Sequence, residues 1–347
     1  MRIIVILVMD LRKSRRRDIM LEIKLIQTMG QPSIEHLFIE ANNYCKEHGQ
    51  ELKIEETSQI FGLYNPELCG IAVTKEKEAN SLEIVEFLVT ADHAVKEVFL
   101  WYILKFNQHI YENISCNVNI DTKLLKQFGF DNNHIKYNKK QIDNTDDIII
   151  RLENESDYEQ TEELTREAFW NIYNPGCNEH FILHELRSRD TYLPELHYVA
   201  EYKGKVIGSI VYCKGKIVDE LLGVHEVIGF GPISVLPEYQ RDGIGSMLIN
   251  HTINKAREMG FVAILICGNP EYYHRFGFIS ASEYGITMSD GSSFDAFMAL
   301  ELEEGALKGI SGRYYEDDVF HSISDEEFQA YDKQFTEKVM VKTPTQL

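Results

Sequence analysis

The stretch Gln240-Arg241-Asp242-Gly243-Ile244-Gly245-Ser246 decides the fold of this chain. It follows an apolar segment, Val227–Val235, with the composition of a buried strand, and a turn at Pro237-Glu238. It opens a segment whose apolar residues recur at helical spacing: Ile244, Met247, Leu248, Ile253, Ala256 and Met259. The sequence therefore predicts a strand, a glycine loop and an amphipathic helix in direct succession.

A glycine loop at the start of a helix is suited to binding an anion. The first N–H groups of a helix have no partner within the helix and carry the positive end of its dipole, so a phosphate can satisfy them. Gly243 and Gly245 allow the backbone to approach that phosphate closely. The loop lacks the Gly-Lys-Ser/Thr of a Walker motif and the three glycines of the dinucleotide fingerprint.

The residues after the helix make the pattern specific. A second apolar strand is predicted at Phe261–Cys267, and Tyr273-His274-Arg275-Phe276-Gly277-Phe278 follows it. Together, Gln-x-x-Gly-x-Gly and the later Tyr-x-x-x-Gly-Phe resemble the two signatures of the GNAT superfamily, the acetyl-CoA-dependent N-acetyltransferases. The resemblance covers roughly residues 148–300.

This resemblance implies a mixed α/β, GNAT-like fold, with a mostly antiparallel central sheet that is splayed at the cofactor strand and flanked by helices. It implies acetyl-CoA as co-substrate, with its pyrophosphate on the backbone amides of Arg241–Ser246 and on the side chains of Gln240 and Arg241. The strand entering the loop would contact pantetheine through Ile233, Ser234 and Val235. The full set of cofactor-binding candidates is Ile233, Ser234, Val235, Gln240, Arg241, Asp242, Gly243, Ile244, Gly245, Ser246 and Asn269.

Three positions differ from the other candidates in their expected roles. Asp242 brings a negative charge into an anion loop, so its carboxylate is expected to point to solvent or to weaken binding. Asn269 is expected to touch pantetheine or to hold its turn. Tyr273 matches the family tyrosine that protonates the departing thiolate, a role that suits a phenol with a pKa near that of a thiol; Tyr272 is its competitor.

The general base is left open by the sequence. Glu226 and His225, near the start of the strand before the loop, are the available candidates, and an ordered water is an equal alternative. His180 and His184 are four residues apart but lack the His-Glu-x-x-His pattern, so no metal site is predicted.

The first half of the chain repeats the order of predicted elements found in the second, and Phe128-Gly129-Phe130 corresponds to Phe276-Gly277-Phe278. We interpret this as two tandem copies, with the first degenerate. From Ile71 to Phe128 there is no glycine, and Asp92-His93-Ala94-Val95 stands where the phosphate loop should be. The expected domains are a tail at 1–19, a degenerate GNAT-like domain with a linker (Asn132–Asp147) at 20–147, and a catalytic GNAT domain with a C-terminal extension at 148–347; Met20 is an alternative start.

Composition limits the partners. Of 347 residues, 35 are basic and 55 acidic, a net charge of −20, which disfavours binding to nucleic acid or to an anionic membrane. An amine-bearing acceptor fits better, and a small molecule is favoured over a protein. The six cysteines are dispersed without Cys-x-x-Cys, as in a reduced, cytoplasmic protein, and a homodimer is possible.

Two functions follow from these observations. The first is an N-acetyltransferase that moves the acetyl group of acetyl-CoA to a primary amine by direct attack. The second is a non-catalytic acyl-CoA-binding or regulatory protein, which Asp242 and the unassigned base would suit.

Overall fold

The structure is a computed structural model. It describes residues 21–27, 35–52, 58–65, 67–78, 81–107, 111, 113–116, 118, 120–128, 130, 135–137, 142, 144–219, 223–343 and 346. The predicted tail at 1–19, the alternative start at Met20 and Gly129 lie outside the described residues.

The chain forms two compact units. The first unit contains the described residues from 21 to 137 with 170–176 and 338–346, and the second unit contains those from 142 to 169 and from 177 to 337. Each unit is made of more than one segment of the chain, so this division cannot be matched to single boundaries. The predicted domains at 20–147 and 148–347 therefore remain a prediction.

The first unit alternates strands and helices in the predicted order. Its elements are β1 (Leu21–Gln27), α1 (Glu35–Glu47), β2 (Ser58–Asn65), β3 (Glu67–Glu78), β4 (Ser81–Val89), α2 (His93–Asn107), β5 (Asn113–Cys116), α3 (Thr122–Gln127) and β6 (Ile135–Tyr137). The strand β6 lies inside the segment 132–147 that we predicted to be a linker, so that prediction was wrong there. Its three residues alternate too briefly to stand out from the polar residues around them.

The second unit carries the predicted loop. Its elements are β7 (Ile148–Leu152), α4 (Tyr158–Phe169), α5 (Glu179–Leu186), β8 (Tyr198–Tyr202), β9 (Lys205–Asp219), β10 (Gly223–Val235), α6 (Ile244–Glu258), β11 (Ala263–Cys267), α7 (Pro270–Tyr273), β12 (Ile279–Ser280), β13 (Ile286–Met288), β14 (Phe297–Glu301), β15 (Gly312–Tyr315) and α8 (Asp325–Asp332). A last strand, β16 (Val341–Lys342), belongs to the first unit, where it pairs with β1.

Each unit has its own mostly antiparallel sheet. The first has the order β16-β1-β2-β3-β4-β5-β6, and the second β12-β14-β11-β10-β9-β15-β13 with β7 and β8 added beside β9. In each sheet four strands that are consecutive in the chain pair antiparallel: β1 to β4 in the first and β7 to β10 in the second. The last of the four is then connected through a helix to a parallel neighbour: β4 to β5 through α2, and β10 to β11 through α6. This shared order confirms the predicted GNAT-like fold class and supports the interpretation of two tandem copies.

The apolar residues of the second unit fill both faces of its sheet. On one face Ile244, Leu248 and Ile249 of α6 pack on the buried side chains of β8 and β9. On the other, Leu183 and Leu186 of α5 contact Val211 and Cys213 of β9. The sheet is therefore held between helices, and its strand ends near the glycine loop are fixed by packing.

Candidate active site

The glycine loop joins β10 to α6 through a tight turn. After β10 ends at Val235, a 3₁₀ turn covers Pro237–Tyr239, and the Gln240 side chain closes the loop by donating from Nε2 to the Val235 carbonyl at 3.0 Å. Gly243 is the N-cap of α6 with φ +85°, a left-handed conformation that favours glycine. The first helical bond runs from the Met247 amide to the Gly243 carbonyl at 2.9 Å.

The helix start is consequently open to an anion. Gly243 has no side chain to cap the first turn, so the amides of Ile244, Gly245 and Ser246 precede the first helical bond without a capping side chain. These are three of the residues that the sequence assigned to the pyrophosphate, and the structure gathers them at the positive end of a helix that runs from Ile244 to Glu258.

The other predicted loop residues differ in how they are placed. One amide hydrogen of Gln240 is used to brace the loop, so its side chain is a support as much as a ligand. Arg241 is exposed, with φ +70°. Asp242 is half-buried and its Oδ2 atom is shielded from water, so of the two expected alternatives the structure favours a carboxylate that weakens anion binding over one that points to solvent.

The equivalent helix of the first unit is closed. There Asp92 precedes α2, and its Oδ1 accepts a hydrogen bond from the Val95 amide at 3.0 Å. A carboxylate already occupies the end of the helix that a phosphate would need, and its charge repels a second anion. This contact supports the prediction that the first copy does not hold the cofactor.

The strands β10 and β11 separate next to the loop. They pair in parallel only at Ile228–Ile264 and Gly229–Leu265, although β10 continues to Val235 and β11 to Cys267. On its other edge β10 stays paired with β9 through Ile233, Ser234 and Val235. The splayed strand expected from the resemblance is therefore present.

The exposed edge of β10 presents backbone groups toward this opening. The Leu236 amide donates to the Ile207 carbonyl of β9 at 2.9 Å. Because successive amides of a strand alternate in direction, those of Ile233 and Val235 point away from β9, toward the opening. The Ser234 amide, between these two, points toward β9. The Ser234 side chain is buried, and its hydroxyl donates to Thr165 Oγ1 of α4 at 3.0 Å.

The two adjacent tyrosines of α7 occupy different places. The Tyr273 ring is 9% exposed; it lies on Gly268, where an added Cβ would come within 2.3 Å, and 5.9 Å from the Phe230 ring of β10. Tyr273 thus sits where β10 and β11 part. The Tyr272 hydroxyl instead lies beside the loop, 2.8 Å from the position of a Cβ added to Gly245.

Two further residues near the loop are Arg275, which the sequence analysis did not single out, and Asn269, for which it left two roles open. The Arg275 guanidinium lies 4.5 Å from the centre of the Tyr272 ring, on the exposed side of α7, and adds positive charge to this region. Asn269, by contrast, uses its Oδ1 to accept from the Glu271 amide at 3.0 Å, so it holds the turn before α7. In the sequence, the only sign that Arg275 lies near the loop is its position two residues before Gly277 of the Gly-Phe signature.

Gly229 marks the point where the strands part, and it is closely enclosed. A Cβ there would meet the Tyr314 hydroxyl at 2.8 Å and the Leu265 carbonyl oxygen at 2.9 Å. Tyr314 is 2% exposed, and among the described residues its hydroxyl has no hydrogen-bond partner. Burial raises its pKa well above the ordinary value of a tyrosine.

We expect Gly229→Ala to destabilise the second unit by about 2 kcal/mol, because the Leu265 backbone cannot move aside without disturbing the strand pair. In a thermal melt this corresponds to a fall in Tm of roughly 4–8 °C for a unit of this size. Tyr314→Phe removes an unpaired buried hydroxyl and is expected to be neutral or stabilising. The double variant should recover part of the loss, and strict additivity would show that Tyr314 is not the obstacle.

The base candidates from the sequence lie far from the opening. Glu226 is exposed and pairs across from Lys216, and His225 precedes it. At about 3.3 Å per strand residue, Glu226 and His225 lie roughly 23 and 26 Å along the strand from Ile233. Neither reaches a group bound at the open edge, so the structure does not support either as the base.

The histidines of α5 have structural partners. His180 is fully buried, and its Nε2 lies 2.9 Å from Asp332 of α8, a carboxylate that also accepts from Arg166 of α4 at 2.8 Å. Burial lowers the pKa of His180, an effect that the Asp332 carboxylate opposes without outweighing it. His184 pairs with Glu162 at 3.0 Å. Within the ranges given above, no cluster of three potential metal ligands occurs.

The comparisons with known proteins agree with this geometry. The sequence profile of the Acetyltransferase (GNAT) family matches residues 159–278. An uncharacterized N-acetyltransferase of Escherichia coli K12, YhbS, is 26% identical over 165 residues, which span 48% of this chain and 93% of that protein. A second one, YjhQ, is 35% identical over 89 residues, 24% of this chain and 46% of that protein.

Solved structures are similar to part of this chain. A crystal structure of Escherichia coli YhbS in complex with CoA covers 53% of this chain and 98% of its own, with 24% identity and a TM-score of 0.47. A GNAT family acetyltransferase from Brucella melitensis in complex with acetyl-CoA covers 50% and 97%, with 26% identity and a TM-score of 0.40. Among the residues that the structure describes, no helix has both the length and the apolar character to span a membrane.

Proposed function

We propose, from the match of residues 159–278 to the GNAT family and from the geometry of the glycine loop, that the second unit transfers the acetyl group of acetyl-CoA to a primary amine. One observation carries the proposal: an uncapped helix start at Gly243–Ser246 lies at the end of a strand, β10, whose edge is open because its neighbour β11 has parted from it. The first feature suits a diphosphate, and the second suits an extended chain with amide groups.

The coenzyme would lie across these two features. The amides of Ile244, Gly245 and Ser246 would hold the pyrophosphate, with Arg275 adding positive charge nearby. The pantetheine would then follow the open edge of β10, where the Ile233 and Val235 amides point. This path brings the thioester to the region between Phe230 and Tyr273.

The reaction we propose has no covalent enzyme intermediate. The amine nitrogen attacks the thioester carbonyl carbon, and the Ile233 amide stabilises the oxyanion of the tetrahedral intermediate. The attacking nitrogen gives up a proton to water, the carbon–sulfur bond breaks, and Tyr273 donates its phenolic proton to the thiolate of CoA and is then reprotonated from solvent. The products are the acetylated amine and free CoA.

We propose a small cationic amine as acceptor and the cytoplasm as location. The net charge of −20 favours a cationic partner over an anionic one. All six cysteines are free in the structure, which suits a reducing compartment. A homodimer stays part of the proposal.

A turnover screen tests the assignment. We expect acetyl-CoA to raise the Tm of the full chain and at least one primary amine, from a panel of polyamines, aminoglycosides, amino acids and lysine peptides, to release free CoA thiol. Release should be absent when the amine is omitted. A Tm shift without CoA release for any amine would instead favour the alternative, a non-catalytic acyl-CoA-binding protein, for which the inward-facing Asp242 is the supporting observation.

A further inference from the structure

The carboxylate of Glu179 lies at the start of α5, near the end of β10 that leads into the glycine loop. Two contacts place it there. Thr165 of α4 holds the Ser234 side chain of β10, and the next residue, Arg166, has its carbonyl 3.7 Å from the Cys177 sulfur, two residues before Glu179. The helix α5 itself packs against β10. Glu179 thus belongs to the same end of β10 as the open amides of Ile233 and Val235.

The surroundings of Glu179 contain no countercharge for it. Its Oε2 accepts from the Asn178 amide at 3.1 Å, and among the described residues it forms no ion pair. Some charged groups on the elements packed against α5 are paired with each other: Glu162 with Arg187 and His184, and Asp332 with Arg166 and His180. Others are acidic: Glu163 and Glu167 on α4, Asp318 beside Phe320, and Asp325, Glu326 and Glu327 on α8. The last two, His225 and Glu226, lie at the far end of β10.

The side chain of Glu179 is only partly accessible to solvent. Its carboxyl group is surrounded by protein. Burial raises the pKa of Glu179 to about 7, and the backbone hydrogen bonds that lower it do not compensate. The positive end of a helix dipole ordinarily stabilises the charged form of a carboxylate and lowers its pKa, so the raised pKa of Glu179 is opposite to the usual effect.

We propose that Glu179 is the general base of the acetyl transfer. It accepts the proton from the acceptor's ammonium group or from the attacking nitrogen, directly or through one water, while Tyr273 supplies the proton that the CoA thiolate takes up. This inference rests on the proposed function and fills the role that neither Glu226 nor His225 can reach. A carboxylate without a cation partner is free to take that proton, and its protonated form is tolerated in a desolvated place.

The test compares Glu179→Gln with the wild type and with Glu185→Gln, a change of the same kind on the last turn of α5. With the best amine of the screen, the wild-type kcat/KM is expected to rise with pH through a limb near pH 7. Glu179→Gln should lower kcat at least 100-fold, keep the acetyl-CoA Tm shift and lose that limb. Glu185→Gln should match the wild type. A Glu179→Gln enzyme with an unchanged profile would overturn the inference and leave the acetyltransferase assignment intact.

A second measurement does not depend on turnover. Dicyclohexylcarbodiimide reacts with protonated carboxyl groups in apolar surroundings, so at pH 7 it should label Glu179 several-fold more than Glu185, as read by peptide mass spectrometry. Equal labelling of the two would refute the desolvated environment on which the inference depends. If Glu179 is labelled but no amine releases CoA, the acetyltransferase assignment itself has failed, and the base role falls with it.

Discussion

Acetyl-CoA affinity is expected to fall at least 100-fold when Gly243 is replaced by aspartate. The new carboxylate would stand at the N-cap of α6, at the helix start where we place the pyrophosphate. Two unit charges about 4 Å apart near a protein surface repel by roughly 4 kcal/mol, and a 100-fold loss needs only about 2.8 kcal/mol. The dissociation constant, measured by calorimetry or by the Tm shift against coenzyme concentration, checks the prediction.

The chain offers a matched control at the other end of the same helix. Gly260 follows α6, has the same φ of +85° and, like Gly243, has no atom within 4 Å of an added Cβ. Gly260→Asp therefore adds the same charge and the same left-handed strain, about 1–2 kcal/mol, with an unfavourable dipole contact of up to about 1 kcal/mol. It should keep acetyl-CoA affinity within a factor of two. Equal losses in both variants would mean that strain, and not the blocked amides, governs binding.

The first unit already contains the arrangement that this variant imitates. Asp92 caps α2 through the Val95 amide, at the place in the fold that Gly243 holds in the second unit. We therefore expect a single coenzyme site per chain, in the second unit. The glycine-free segment from Ile71 to Phe128 was the reason to predict that the first unit does not hold the coenzyme. In the structure Asp92 stands there in place of a glycine, and a carboxylate at a helix start both stabilises the helix and removes an anion site.

Local sequence was sufficient for the part of the site made by one continuous segment. The strand, loop and helix around Gln240–Ser246 obey rules that operate within a few residues: helical periodicity, glycine at a left-handed position and unpaired amides at a helix start. The parting of β10 from β11 was expected from the family resemblance. Its position at Gly229, where Tyr314 leaves no room for a Cβ, involves a residue that is distant in sequence.

The remaining features depend on contacts between distant segments. The partner of His180 is Asp332 on α8, and the environment of Glu179 is set by α4 and β10, so neither could be read from the spacing of residues in α5. The same limit applies to Gly229, where the crowding comes from Tyr314 and Leu265. Short strands such as β12 and β13 are defined by pairing with distant strands and not by their own two or three residues.

The second large effect is expected at Tyr273. Replacing it with phenylalanine keeps the ring on Gly268 and against Phe230 but removes the only group we assign to protonate the CoA thiolate. General acids typically contribute 10²–10⁴-fold to a rate, so kcat should fall about 100-fold or more while the dissociation constant of acetyl-CoA stays within about twofold. Single-turnover release of CoA thiol separates the chemical step from product release.

Two variants decide whether the hydroxyl or its position is responsible. Tyr272→Phe removes the neighbouring hydroxyl, which lies beside Gly245 and not at the parting of the strands, so it is expected to weaken coenzyme binding modestly and to leave kcat nearly unchanged. Gly268→Ala keeps the Tyr273 hydroxyl but pushes its ring away, because the added Cβ would overlap the ring, and kcat should fall as in Tyr273→Phe. If Tyr272→Phe loses turnover and Tyr273→Phe retains it, the acid is Tyr272, and the thioester must lie closer to the glycine loop than the path along β10 places it.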